Sequence, residues 1–160
     1  MKPKLYLETT IVSYLVARPS RNEIVRVRQQ STQAWWDARL ADFEIFISDV
    51  VRLEAADGDA APAGKRLALL DSFPILKGSP ASGALADALI GPGRLPSKAV
   101  RDAAHLALAA TNQMHFLLTW NFRHIANREI LENVEIICER HGCKCPIVCT
   151  PDELMGLKAL

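Results

Sequence analysis

Short apolar runs alternate with longer amphipathic stretches along most of this 160-residue chain. Such alternation is typical of a parallel β-sheet whose strands are connected by helices. The runs with the length and composition of buried strands are residues 4–8, 43–48, 74–77, 116–119 and 147–149. A chain of this length forms one core, so we predict a single α/β domain over residues 1–160, with helices flanking the sheet.

Helices are predicted between the strands from their periodicity and their capping residues. The predicted ranges are about 10–17, 22–41, 61–71, 80–91, 98–113 and 127–141, with a short helix around residue 54 and another at the C-terminal end. In the long helix, the candidate inward positions are Ile24, Val27, Ala34, Trp35 and Leu40. Ser97 is predicted to cap the helix over about residues 98–113, and Thr150 is predicted to form a capping box with Glu153.

The composition is that of an ordinary globular protein, with 49% hydrophobic and 23% charged residues. No apolar run approaches the roughly 20 residues that span a bilayer, and no signal-peptide pattern is present, so we expect a cytoplasmic protein without a membrane segment. The net charge of +1 excludes a large basic field for nucleic acid. A local basic patch or a solvated helix face could be formed by Arg18, Arg21, Arg26 and Arg28.

The four cysteines all lie near the C-terminal end, at Cys138, Cys143, Cys145 and Cys149. Their spacing does not match the paired C-x₂-C of common zinc modules. Cysteine in a buried strand behaves as a small hydrophobic residue. We therefore expect packing roles for these thiols, and a zinc site that includes His141 is the alternative.

Three carboxylates lie in apolar surroundings close to predicted strand ends or in a helix, namely Glu8, Glu54 and Asp102. Ligands of open parallel sheets bind beyond the carboxyl ends of the strands, and Asn121 leaves the fourth strand at that same edge. Two carboxylates about 5 Å apart repel each other by roughly 3 kcal/mol at an effective dielectric near 20, so a bound cation best explains such a gathering. Oxygen ligands favour Mg²⁺ or Mn²⁺, which predicts metal-assisted phosphodiester hydrolysis.

Four segments together resemble a PIN domain, the fold of VapC-like toxin ribonucleases, and they are Leu5–Thr10, Ser48–Glu54, Asp102–Ala107 and Leu117–Asn121. The first resembles the hydrophobic strand, acid and hydroxyl residue of that family, and the second its Glu on the helix after a strand. The third, Asp-Ala-Ala-His-Leu-Ala, resembles the family's Asp-Ala-x-His-x-Ala. The fourth ends a strand in Thr before a position that is usually acidic. The resemblance covers nearly the whole chain through the order and spacing of these segments.

This resemblance implies a five-stranded parallel sheet and an endoribonuclease that depends on Mg²⁺ or Mn²⁺ and hydrolyses RNA. It also implies a homodimer and a small antitoxin protein that blocks the acidic site. The implied metal ligands are Glu8, Glu54 and Asp102, and Asn121 completes the catalytic set. Glu8 stands where Asp is usual and Asn121 where an acid is usual, so the site keeps three of four charges. The alternative function is a non-catalytic PIN-like module that binds RNA or a protein.

Further residues near these segments are candidates for supporting roles or for contact with the substrate. Thr9 is expected to cap the first helix or to bond a metal water, and Thr119 to hold the acidic residues in place. His105, one turn beyond Asp102, fits either a hydrogen-bonded core histidine or a substrate contact. The other candidate contacts with the substrate are Arg123, His124 and Asn127.

Overall fold

A computed structural model describes residues 1–157, which form five strands and eight helices. The strands are β1 (Lys4–Leu7), β2 (Glu44–Ser48), β3 (Ile75–Leu76), β4 (Phe116–Leu118) and β5 (Ile147–Cys149). The helices are α1 (Thr9–Val16), α2 (Glu23–Arg39), α3 (Asp49–Ala55), α4 (Ala60–Leu70), α5 (Pro80–Ala88), α6 (Val100–Thr111), α7 (Arg128–Arg140) and α8 (Pro151–Gly156). A 3₁₀ turn over Leu40–Asp42 follows α2.

The sheet has the strand order 3-2-1-4-5, and all four strand pairs are parallel. At its centre, Tyr6 of β1 lies beside Phe46 of β2 and Leu117 of β4. Leu5, Tyr6 and Leu7 are fully buried, because helices cover both faces of a central parallel strand. The predicted α/β fold, a five-stranded parallel sheet flanked by helices, is confirmed.

The helices pack against one another in groups beside the sheet. α1 packs against α2, α3 and α4, and α2 also packs against α8, while α5 packs against α6 and α7. Apolar side chains from both strands and helices fill the core between them, and Trp35 is the largest that is fully buried. Within residues 1–157, every helix is too short or too polar to cross a membrane.

The inward face of α2 is narrower than the sequence predicted. Trp35 is fully buried, as expected, and Thr32 one turn earlier is buried with it. The positions wrongly predicted to face the core are Ile24, Val27 and Ala34, which are exposed. The helix is held near its C-terminal end, where Arg39 donates to three backbone carbonyls around α8, and its first half projects beyond the core.

Two of the predicted helix caps are wrong. Ser97 does not cap α6, because the chain makes a further turn and the helix begins after Ala99. Thr150 does precede α8, but its hydroxyl donates to the Glu153 carboxylate at 2.9 Å instead of accepting a backbone hydrogen bond. α3 is capped by Ser48, whose hydroxyl accepts from the backbone N–H of Val51.

Leu117→Ala is expected to lower the free energy of unfolding by about 2–5 kcal/mol, because it opens a cavity at a fully buried position beside β1. Ile136→Ala is the control, since Ile136 on α7 is 42% exposed and should change stability by less than about 0.5 kcal/mol. Equilibrium unfolding in urea, followed by tryptophan fluorescence, measures both variants. Equal losses in the two variants would contradict the burial of Leu117 in the core.

Candidate metal centre

The carboxyl edge of the sheet collects polar residues from its three inner strands. Glu8 follows β1, Ser48 ends β2 and Thr119 follows β4. Since these neighbouring strands are parallel, the three residues lie at the same edge, which is where open α/β sheets bind ligands. Glu8 is also the N-cap of α1, and its carboxylate accepts from the backbone N–H of Thr10 at 3.2 Å.

Glu8 is a buried carboxylate whose hydrogen bonds all reach one oxygen. Its Oε2 accepts from the Thr119 hydroxyl at 2.7 Å and from both the N–H and the hydroxyl of Thr10. Oε1 accepts no hydrogen bond from residues 1–157. Burial raises the pKa of the Glu8 carboxyl above its usual range, although the charge of His105 and the hydrogen bonds to Oε2 oppose the rise. The ionised carboxylate is therefore incompletely compensated by the protein.

A chain of hydrogen bonds leads from the second acid into the sheet. Oε1 of Glu54 accepts from the Thr9 hydroxyl at 2.8 Å and lies 2.6 Å from Nε2 of His105. An ionised carboxylate can only accept, so Nε2 carries a proton. Nδ1 of His105 lies 2.6 Å from the Tyr6 hydroxyl, which is 2.7 Å from the Ser48 hydroxyl. This series of hydrogen bonds joins α3, α6, β1 and β2.

The Glu54–His105 pair favours its ionised form. Burial alone would raise the pKa of Glu54, but the hydrogen bond and charge of His105 outweigh it and lower that pKa. Burial alone would lower the pKa of His105, but the hydrogen bond to Glu54 and the nearby carboxylates raise it. Burial raises the pKa of Tyr6 far above its usual range, so this phenol stays neutral. The geometry thus favours a carboxylate that faces an imidazolium.

A second group of hydrogen bonds surrounds Asp102 in the first turn of α6. Asn121 Nδ2 donates to Oδ1 of Asp102 at 3.1 Å, and Nδ1 of His124 lies 2.8 Å from Oδ2. The Asn121 side-chain carbonyl accepts from the backbone N–H of His124 at 3.0 Å. The backbone N–H of Asn121 donates to the Thr119 hydroxyl, which itself donates to Glu8. Thr119 therefore connects the two groups.

The predicted metal ligands fall into these two groups. Ligand atoms of Glu8, Glu54 and His105 lie within 4.8 Å of one another, and among residues 1–157 Asp102 lies outside this trio. Asp102 is connected to the trio only indirectly, because Asn121 donates both to Asp102 and to the Thr119 hydroxyl that bonds Glu8. His105 is fully buried with both ring nitrogens bonded inside the protein, so the structure supports the core histidine that the sequence allowed and not the substrate contact.

The remaining predicted residues occupy both supporting and exposed positions. Thr9 bonds Glu54 and does not cap α1, because Glu8 is the cap. Asn127 caps α7 through its side-chain carbonyl, and its side-chain amide donates to the backbone carbonyl of Arg123. Both polar groups of the Asn127 side chain are therefore hydrogen-bonded within the protein. Arg123 itself is exposed. The sequence prediction missed Tyr6, whose only signal is a single hydroxyl within a run of buried apolar residues.

The donor atoms fit a hard divalent cation. Oε1 of Glu8 and Oε2 of Glu54 accept no hydrogen bond from the part of the chain that the structure describes, so each acid has an oxygen available to a ligand. Oxygen donors of this kind favour Mg²⁺ or Mn²⁺. His105 belongs to the trio by distance, but its Nε2 already donates to Glu54, which makes it a charge partner rather than a ligand.

Comparison with known proteins shows a structural likeness. No protein-family model and no curated protein matches the chain. Among solved structures, it is similar to a chain in the crystal structure of VapBC2 from Rickettsia felis bound to a DNA fragment from their promoter. The TM-score is 0.52 at 14% sequence identity, and the alignment covers 91% of this chain and 97% of that one. A likeness of this extent at this identity shows a shared fold.

Glu8→Gln is expected to raise the free energy of unfolding in EDTA at neutral pH, because it removes a buried charge and keeps an oxygen that accepts from Thr10 and Thr119. The raised pKa of Glu8 sets the sign of the pH dependence of this stability difference. Above the ordinary value of 4.5, the unfolded carboxyl is ionised, and the wild type loses stability as the pH rises until the folded pKa is passed. The advantage of the variant should therefore grow from pH 4.5 upward and then level off.

Urea unfolding between pH 4 and 8 in EDTA measures this difference. Glu44→Gln, at an exposed position of β2, is the matched control and should show no such growth. Added Mg²⁺ or Mn²⁺ should stabilise the wild type more than Glu8→Gln. A wild type that is as stable as the variant at pH 8 in EDTA would contradict the incompletely compensated carboxylate.

Proposed function

From the PIN-domain fold, which the sheet order and the structural likeness confirm, we propose that the protein is a metal-dependent endoribonuclease and the toxin of a toxin–antitoxin pair. The proposal rests on one observation, the buried Glu8 carboxylate beside Glu54, where each acid has an oxygen that accepts no hydrogen bond from residues 1–157. A cation relieves the repulsion between such acids and attracts the anionic phosphodiester of RNA.

Three acids take part in this proposal. Glu8 and Glu54 hold the cation, and Asp102, connected to Glu8 through Asn121 and Thr119, supplies the third negative charge of the edge. A cation held there supplies Lewis-acid polarisation of the phosphate and a water of lowered pKa. Thr119 bonds Oε2 of Glu8, which leaves Oε1 as the ligand atom, and His105 keeps Glu54 ionised.

His124 is the residue best placed to contact the scissile phosphate. Its Nδ1 is paired with Asp102, and no residue within 1–157 bonds its Nε2. Because Nδ1 donates to the Asp102 carboxylate, Nε2 of the neutral ring can accept a hydrogen bond from the attacking water, and in the imidazolium form it can donate to a phosphate oxygen or to the leaving oxygen. Arg123, exposed next to it, adds a cation that pairs with a neighbouring phosphate.

The proposal includes two protein partners, an antitoxin that covers the acidic edge and a second copy of the chain. Light scattering coupled to size-exclusion chromatography tests the homodimer. Co-purification with the product of an adjacent small gene, followed by loss of RNA cleavage in the complex, tests the antitoxin.

Purified protein, free of any antitoxin, is expected to cleave a mixed set of labelled RNAs in Mg²⁺ or Mn²⁺ and to leave them intact in EDTA. Asp102→Asn should lower the cleavage rate by about 100-fold or more, because it removes a negative charge of the acidic edge and the carboxylate that pairs with His124. Asp37→Asn is the matched control, since Asp37 is an exposed carboxylate on α2, and its rate should match the wild type.

Cleavage that persists in EDTA, or that is equal in the Asp102 variant, would contradict the nuclease proposal. Metal binding without cleavage, in folded protein free of antitoxin, would favour the non-catalytic module that binds RNA or a protein. The uncharged Asn121 is the feature that points to this second function, because it stands where an acid is usual.

Asn121→Asp is expected to lower the free energy of unfolding in EDTA by about 1–3 kcal/mol, because a donor to Asp102 is replaced by a second carboxylate. Mg²⁺ or Mn²⁺ should recover the loss, since the fourth negative charge strengthens cation binding. Thermal unfolding across a metal titration measures both effects.

Asn133→Asp serves as the control for that variant. It removes a donor to the Gly93 carbonyl outside the acidic edge, so its stability should not respond to metal more than that of the wild type does. An Asn121→Asp variant that is as stable as the wild type in EDTA would contradict the hydrogen bond to Asp102.

A further inference from the structure

An exposed aromatic ring lies in the loop that carries the second half of the acidic site. Phe122 is 44% exposed, whereas the nearby Trp120 and Ile125 are buried. Asn121 before it and His124 after it both bond Asp102. Asp102 thus holds the loop on both sides of Phe122, so this residue lies in the chain between two residues of the acidic site.

Two other side chains, Arg28 and Trp120, pack against the Phe122 ring. The Arg28 guanidinium lies 4.9 Å from the centre of the Phe122 ring and 5.7 Å from that of Trp120, and the two rings are 6.1 Å apart. Trp120 is anchored by hydrogen bonds to the hydroxyls of Thr32 and Thr10. A ring held in this way loses little conformational freedom when a ligand binds to it.

The charges around the ring favour an anionic ligand with flat faces. Within residues 1–157, neither Arg28 nor Arg123 forms an ion pair with a carboxylate. Two uncompensated cations can bind successive phosphates, and an aromatic ring can stack on any base. The combination matches an unpaired nucleotide next to the phosphate at the acidic site.

We propose that Phe122, supported by Arg28, is a stacking platform for an unpaired base of single-stranded RNA bound at the acidic site. The proposal rests on the nuclease function and specifies its substrate class. A base within a duplex is stacked between its neighbours and cannot use the platform, so the site selects single-stranded segments. Arg28 holds the ring and pairs with the phosphate beside the stacked base.

The test is fluorescence anisotropy of a labelled eight-nucleotide single-stranded RNA with the full-length protein in Ca²⁺, with gels to verify that the RNA stays intact. Phe122→Leu keeps an apolar side chain of similar bulk without the aromatic face and should weaken binding by about 5- to 150-fold. Phe122→Trp should bind at least as tightly as the wild type. Ile136→Ala, at a similarly exposed position of α7, should bind as the wild type does.

A duplex of the same sequence is the second probe, and Phe122→Leu should not weaken its binding. Equal single-strand affinities of Phe122→Leu and wild type would overturn the platform, as would an equal loss for both probes. A change of oligomeric state in Phe122→Leu, measured by light scattering, would assign the ring to an interface between copies and also overturn it.

Separate cleavage assays distinguish this proposal from the function on which it depends. Cleavage that needs metal and Asp102, with unchanged RNA affinity in Phe122→Leu, overturns the platform alone. A wild type that neither binds nor cleaves single-stranded RNA overturns both. Metal-dependent cleavage together with a loss of affinity confined to Phe122→Leu supports both.

Discussion

A carboxylate buried at the end of the central strand is the constraint on which the rest of this edge depends. Glu8 follows the fully buried residues Leu5–Leu7 and is buried itself, where an isolated ionised carboxylate is several kcal/mol less stable than in water. Thr10 and Thr119 reduce this penalty by donating to one oxygen. They do not remove it, since burial still raises the pKa of Glu8.

The nearby charges act on the part of the Glu8 desolvation penalty that the hydrogen bonds leave. His105 brings one positive charge close to Glu8 and Glu54, which leaves the cluster negative. Under the proposed function, a divalent cation would reverse the sign of the local potential, so that the same edge would attract a phosphodiester. The His105 imidazole is in turn oriented by its hydrogen bond to the hydroxyl of Tyr6, a buried residue of the central strand β1. The electrostatics of the edge therefore depend on the packing of β1 against β2 and β4.

The sequence allowed the prediction of the strands and of the acids at their ends, because both are local patterns. Leu5–Leu7 followed by Glu8 is visible as an apolar run that ends in a charge. The partner of His105 was not predictable in this way, since its hydrogen bond to Tyr6 joins residues 99 positions apart. Periodicity also identified the buried side of α2 around Trp35, but it carries no information on how far a helix extends beyond the core. Ile24 was misplaced for that reason.

The long sequence separations within the site have a consequence for the order of events in folding. The hydrogen bond between Thr119 and Glu8 closes a loop of 111 residues, and that between His105 and Glu54 one of 51. Contacts between residues so far apart in the chain cost more loop-closure entropy than the local hydrogen bonds within helices do. On the ribosome, a nascent chain that ends before β4 holds its first two acids without the strand that fixes them. The acidic edge is therefore complete only after β4 and the loop that carries Asn121 and His124 have been synthesised.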